Sequence, residues 1–289
     1  MSPRTRVGAA GNPAGAVVTG AGGGLGRLIA RVLIERGHTV LVTDVDEAAA
    51  HRTAAELGEG AVARVLDVRD HAAVDAARDD ILERTGRLDV WVNNAGLLTT
   101  GPAWDQTPET RRLMLEVNAL GTLNGTVAAI DAMRRHGGGH VVNIVSLAGI
   151  TLVPGEAVYA ASKHAAIGFS LSTLADLRLA GIKNIDISCV CPDGIWTPML
   201  HDKLDDPASA LSFSGKLLQP EAVAAAVAAV LDTPRPVTTI PRWRGLQSRI
   251  ADTLPRLALR AVPLAVSQGL RAQRRLKKSG ELRRAERGR

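Results

Sequence analysis

At 289 residues, 46% of them hydrophobic but only seven aromatic, the chain is long enough for one large α/β domain with a core of Ala, Val, Leu and Ile. Its formal charge of +6 is uneven: from Arg242 onward fourteen Lys and Arg stand against three Asp and Glu, so the body before it is mildly acidic. No run reaches the roughly eighteen uncharged apolar residues of a membrane span, and the seven histidines show no ligand spacing, so neither a span nor a metal centre is expected.

Residues 1–15 carry Arg4 and Arg6 but no apolar stretch, and read as a flexible lead-in rather than a targeting segment. Residues 16–19 predict a short strand, followed by Thr19-Gly20-Ala21-Gly22-Gly23-Gly24-Leu25-Gly26 and an apolar-periodic helix to about Glu35. Strand, glycine loop and helix is the setting in which backbone N–H groups and a helix N-terminus cradle a pyrophosphate. Taken alone, the same loop also reads as a tight turn. A second strand over 39–43 ends at Asp44, eighteen residues after Gly26. A carboxylate there accepts hydrogen bonds from both adenosine ribose hydroxyls and repels a 2′-phosphate, so NAD(H) is expected over NADP(H). The plainer reading is that Asp44 caps the next helix, although Asp46 is better placed for that.

A third strand over 61–66 leads to Asp67 and Val68, and Asp70 caps a helix reaching about Arg84. The fourth strand, 89–92, delivers Asn93-Asn94-Ala95-Gly96. Strands alternating with helices at this rhythm specify a Rossmann-type doubly wound parallel sheet, whose ligands sit at the carboxyl ends of the strands. Residues 108–135 predict one long helix carrying Asn118 in its interior, where Asn is a poor choice. Either Asn118 disturbs the helix and holds a water, or it is a neutral exposed substitution. The fifth strand, 141–145, ends at Ser146. The sixth, 186–190, contains Cys189, with Cys191 just past its end; the two are read as buried reduced thiols of a cytoplasmic protein.

Tyr159, the single tyrosine, opens a proline-free helical run, and Lys163 lies one turn on, on the same face. A neighbouring cation favours the phenolate, and a phenol shifted toward working pH suits proton transfer to or from an alcohol oxygen. By itself Tyr-x3-Lys also fits a buried tyrosine with a snorkelling lysine.

The set Thr19-Gly20-x3-Gly24-x-Gly26, Asp67, Asn93-Asn94-Ala95-Gly96, Asn118, Ser146 and Tyr159-x3-Lys163 resembles the short-chain dehydrogenase/reductase family over about 15–240. The glycines also satisfy Gly20-x2-Gly23-x2-Gly26, the pattern of its longer epimerase branch. Asn-Asn-Ala-Gly and the short distance from Lys163 to the chain end favour the dehydrogenase branch. The resemblance implies that Ser146 hydrogen-bonds the substrate oxygen and Tyr159 exchanges its proton. Lys163 would acidify the phenol and hold the nicotinamide ribose, and Asn118 would hold a relay water. It also implies that Asp67 contacts adenine and Asn93 steadies the central strands. The remaining cofactor contacts would come from Gly20, Gly24, Leu25, Gly26, Val68, Asn94, Ala95, Gly96, Pro192, Ile195 and Thr197. Asp193 departs from the pattern, standing after Pro192 where the family usually has glycine.

Residues 16–241 thus predict one dinucleotide-binding and catalytic domain, with a lid at 199–218 whose apolar residues either shape the pocket or pack beneath the lid. Residues 242–289 predict a basic helical extension broken at Pro255 and Pro263 and frayed after Leu270. Its stripe of Leu246, Ile250, Leu254 and Leu257 fits cover for this subunit or a partner, or peripheral contact with an anionic membrane. Nucleic acid is not expected, for want of any recognition motif. The whole reads as an NAD(H)-dependent oxidoreductase of a moderately apolar secondary alcohol or ketone, in a homodimer or homotetramer. The rivals are a silent NAD(H) sensor and an NADP(H)-dependent carbonyl reductase.

Overall fold

Short β-branched runs and longer amphipathic ones alternate along the chain, and each becomes a strand or a helix. The computed structural model describes residues 14–279, so the expected lead-in lies outside the described residues except for Ala14 and Gly15. The strands are β1 (Ala14–Val18), β2 (His38–Asp44), β3 (Ala61–Val65), β4 (Leu88–Asn93), β5 (Gly139–Ile144), β6 (Ile185–Pro192) and β7 (Val237–Ile240). All pair in parallel, in the order β3-β2-β1-β4-β5-β6-β7. The helices are α1 (Gly24–Glu35), α2 (Glu47–Leu57), α3 (His71–Thr85), α4 (Pro108–Leu115), α5 (Gly121–Arg135), α6 (Ala157–Leu179), α7 (Pro198–His201), α8 (Pro220–Asp232), α9 (Arg242–Thr253) and α10 (Pro255–Ser279).

A parallel sheet must be covered on both faces, which is why its strands read as unbroken apolar runs. All five residues of β1 are buried. On one face Leu25, Ile29 and Leu33 of α1 pack with Val223 and Val227 of α8. On the other, Val74 and Ile81 of α3 meet Met133 of α5, Leu177 of α6 and Trp91. Asp46 and Asp70 cap α2 and α3 by accepting from the N–H groups of Ala49 and of Ala72 and Ala73. The strand order turns about β1, with β2 on one side and β4 on the other, and this opens the crevice in which such sheets bind ligands.

Three expectations are corrected. The stretch Pro108–Arg135 is long and apolar enough, by length and composition, to cross a membrane, contrary to the sequence reading; half of that window is buried within the fold. The stretch is also not one regular helix, because Glu116–Leu120 forms a π-helical turn between α4 and α5. In the extension, Pro255 does separate α9 from α10, but Pro263 lies inside α10, which continues past Leu270 to Ser279. Packing explains that persistence. Gly269 is buried against Ala210, and Gln273 is buried with its Nε2 donating to the Asp206 carbonyl (2.9 Å) and to Ser209 Oγ (2.9 Å).

Candidate active site

The glycine loop after β1 lies at the crevice. Gly20 has φ +61°, and a Cβ on Gly26 would come within 2.3 Å of the Gly20 carbonyl oxygen, so a side chain at either position distorts the turn. Thr19 Oγ1 accepts from the N–H groups of Asn94 and Ala95, each at 3.0 Å, and Asn94 Nδ2 donates back to the carbonyls of Thr19 and Gly20. These bonds join the loop to the end of β4. Helix α1 starts after Gly23 without a side-chain cap or an acidic residue in its first turn. Its leading N–H groups are therefore left for an anion, which fits a pyrophosphate.

One cavity of about 740 Å³ runs from this loop to Met199, Leu200 and Leu211. On its wall stand Gly20, Gly24, Leu25, Gly26, Asp44, Asp67, Val68, Asn94, Ala95, Gly96, Ser146, Tyr159, Lys163, Pro192, Ile195 and Thr197. Asp44 accepts from Gly22 N–H on one carboxylate oxygen and from Asp46 N–H on the other, both at 3.0 Å. This fixes a negative charge at the tip of β2. Asp67 is forked by Arg69, whose guanidinium holds its carboxyl below the usual range.

Two predicted residues stand off the wall. Asn118 is fully buried in the π turn; its side chain donates to the Leu97 carbonyl (2.9 Å) and Ser162 Oγ (3.1 Å), and accepts from Leu97 N–H (2.8 Å). Asn93 donates to Asn143 Oδ1 (2.8 Å) and Thr126 Oγ1 (3.1 Å) and accepts from Trp91 Nε1 (2.8 Å), tying β4 to β5 and α5.

Around Tyr159 the electrostatics differ from the sequence reading. Lys163 Nζ stands 5.7 Å from the phenol ring and donates to the Ile144 carbonyl at 3.1 Å. Burial pulls this amine down to about 8. Burial also raises the Tyr159 pKa, and the Glu156 carboxyl three residues earlier adds to the rise, while a hydrogen bond with Ser146 works against it. The expected acidification by Lys163 is thus not seen, and the loss of water around the phenol sets the direction of its shift.

Among the wall residues that sequence reasoning missed are Glu156, Arg69, Arg244 and Ser248. Glu156 is 2% exposed, accepts from Ser212 Oγ at 2.6 Å, and is pushed up by burial to about 7. Its signal was present as the only carboxylate in the loop between Ser146 and Tyr159. Arg244 carried no such signal. Its guanidinium donates to Asp193 Oδ2 at 2.8 Å and to Ser214 Oγ at 3.2 Å, so the extension is clasped to the residue that departs from the family pattern. The apolar residues of 199–218 divide between the two readings: Met199, Leu200 and Leu211 reach the cavity, whereas Leu204 and Phe213 pack with Leu276 of α10.

A doubly wound sheet with a glycine turn at its switch point, and a serine, tyrosine and lysine on the same cavity wall, define a Rossmann-type oxidoreductase. The chain belongs to the short chain dehydrogenase family, whose model matches residues 14–208. It is 37% identical over 205 residues to a cyclopentanol dehydrogenase of Comamonas testosteroni, covering 70% of this chain and 81% of that protein. It is 32% identical over 212 residues to the oxidoreductase UcpA of Escherichia coli, covering 70% and 79%. Among solved structures, a short-chain dehydrogenase/reductase from Burkholderia phymatum in complex with NAD superposes with a TM-score of 0.75 at 26% identity, covering 86% of this chain and 95% of that one. A 3-ketoacyl-(acyl-carrier-protein) reductase from Brucella melitensis complexed with NADH gives 0.70 at 28% identity, covering 78% and 94%.

Proposed function

We propose that the protein interconverts a moderately apolar secondary alcohol and its ketone with NAD(H). The observation that carries this reading is the meeting of Ser146, Tyr159 and Lys163 with the glycine loop and Asp44 on one cavity wall. Ser146 hydrogen-bonds the substrate oxygen, and the Tyr159 oxygen takes the hydroxyl proton in oxidation or returns it in reduction. Lys163 holds the ribose and draws the proton onward to a water kept by the distorted helix at Asn118. Bound NAD supplies the hydride acceptor at nicotinamide C4 and, when oxidised, a positive ring that favours the phenolate. Asp44 binds the ribose hydroxyls and excludes a 2′-phosphate. Arg69, the cation on the wall near the adenine end, is committed to Asp67 and does not offset that exclusion.

Met199, Leu200 and Leu211 favour an apolar substrate. The relative named for cyclopentanol fits the same class. Exposed Leu115, Leu120 and Val127 along α4 to α5 support a homodimer or homotetramer. The rival is a silent NAD(H) sensor, which has no use for an acid–base group. A panel of secondary alcohols with NAD, run on wild type and Tyr159→Phe, separates the two. Loss of about 10²–10⁴-fold in kcat/KM, with NAD affinity kept, is the expected result; equal rates in the two proteins support the sensor.

A further inference from the structure

Helix α9 is built the wrong way round for a helix that belongs only to its own subunit. Its packed face is small and polar, with Gly245 and Ser248 buried, and a Cβ on Gly245 would come within 2.0 Å of Thr239 Oγ1. Its opposite face, at i, i+3 and i+7, carries Trp243, Leu246 and Ile250, which are 62%, 62% and 53% exposed. The helix cannot roll to hide them, because Gly245 sits tight on β7 and Arg244 is clasped to Asp193. The apolar surface continues through Leu254, Leu257 and Leu264, all exposed. Arg242, Arg249, Arg256 and Arg260 are exposed around it. Of the ten Lys and Arg between 242 and 279, only Arg244 and Lys277 pair with a carboxylate among the described residues, and Asp252 is the single acid there.

We propose that α9 and the first turns of α10 dock flat on an anionic lipid surface, with Trp243, Leu246 and Ile250 in the headgroup region and the arginines on lipid phosphates. An outward apolar stripe bordered by arginine, with a tryptophan at its edge, is the chemistry that an interfacial helix needs. Charge decides against a second copy as the occupant. A twofold contact through this stripe would set the same arginines of two chains against each other, with only Asp252 to offset them. Resting on the oxidoreductase reading, the docking also brings the cavity to the bilayer, because Arg244 and Ser248 on the opposite face of α9 line it. Lipophilic alcohols or ketones dissolved in the membrane are then its substrates.

The test is flotation of the full-length protein with vesicles of phosphatidylcholine alone and of phosphatidylcholine with phosphatidylglycerol, at low and high salt. It needs no activity, so its failure leaves the catalytic reading standing. Wild type should float with the anionic vesicles and sink with neutral ones or at high salt. Trp243→Ser/Leu246→Ser/Ile250→Ser should abolish flotation. Arg249→Glu/Arg256→Glu/Arg260→Glu should cut the bound fraction at least about tenfold, with melting temperature and light-scattering mass unchanged in both variants. A wild type that never floats, or one that floats as well on neutral lipid, overturns the proposal. So does a serine variant that falls in mass while wild type stays at the bottom, which makes the face a contact between copies.

Discussion

On the proposed function, Asp44 is the side chain that reads the cofactor. Its two oxygens already accept from Gly22 and Asp46, so the carboxylate cannot swing away from an incoming 2′-phosphate. Asp44→Ala should therefore lower the ratio of kcat/KM for NAD over NADP by about tenfold or more, since one lost unit-charge repulsion at close range exceeds about 1.4 kcal/mol. Initial rates with both cofactors check it, and an unchanged ratio removes Asp44 from the account. Motif residues of this kind are legible in the bare chain, because chemistry ties their type to their spacing. Arg244 is not, because its importance comes from Asp193, which the fold sets beside it, and Glu156, though marked as the only carboxylate of its loop, owes its burial beside Ser212 to the fold.

Among the elements, the clasp between α9 and the loop after β6 has a measurable strength. The Asp193 and Arg244 side chains are 9% and 19% exposed, so removing one partner leaves a largely desolvated charge. Arg244→Ala should cost about 3 kcal/mol in urea unfolding, and Arg244→Ala with Asp193→Gly should cost less than Arg244→Ala alone. Additive losses would mean that the two side chains act independently. Element boundaries also mark the limit of pattern reading. Strand and helix existence followed from periodicity and from caps such as Asp46 and Asp70. The unbroken helix through Pro263 did not, because tertiary packing overrode local preference there, and the π turn at Asn118 was only one of two readings open to the sequence.

For the molecule as a whole, two buried groups oppose each other in pH. Glu156 is raised to about 7, so between its unfolded value near 4.5 and 7 the unfolded chain loses the proton first and stability falls as pH rises. His140, buried against Ser188 Oγ, is lowered to about 4, so between 4 and 6.5 the unfolded chain binds the proton first and stability falls as pH drops. Each is worth at most about 3 kcal/mol, and across 4.5 to 6.5 they cancel. Glu156→Gln should remove one side of that balance, leaving stability that rises with pH through this window. Denaturant midpoints at pH 4.5, 5.5 and 6.5 measure it, and a flat difference between variant and wild type defeats the assignment.

Residue order and type alone specify the doubly wound sheet, the glycine turn, the spacing of Ser146, Tyr159 and Lys163 along the chain, and the basic character of the tail. These are properties of local spacing and of side-chain chemistry. Three others arise only when the chain is folded: the phenol and the amine lose their water, Asp193 meets Arg244 fifty-one residues later, and α9 turns its apolar stripe outward. The reason is physical: desolvation and ion pairing depend on which distant segments exclude water together, and helical periodicity fixes a stripe without fixing the side it faces.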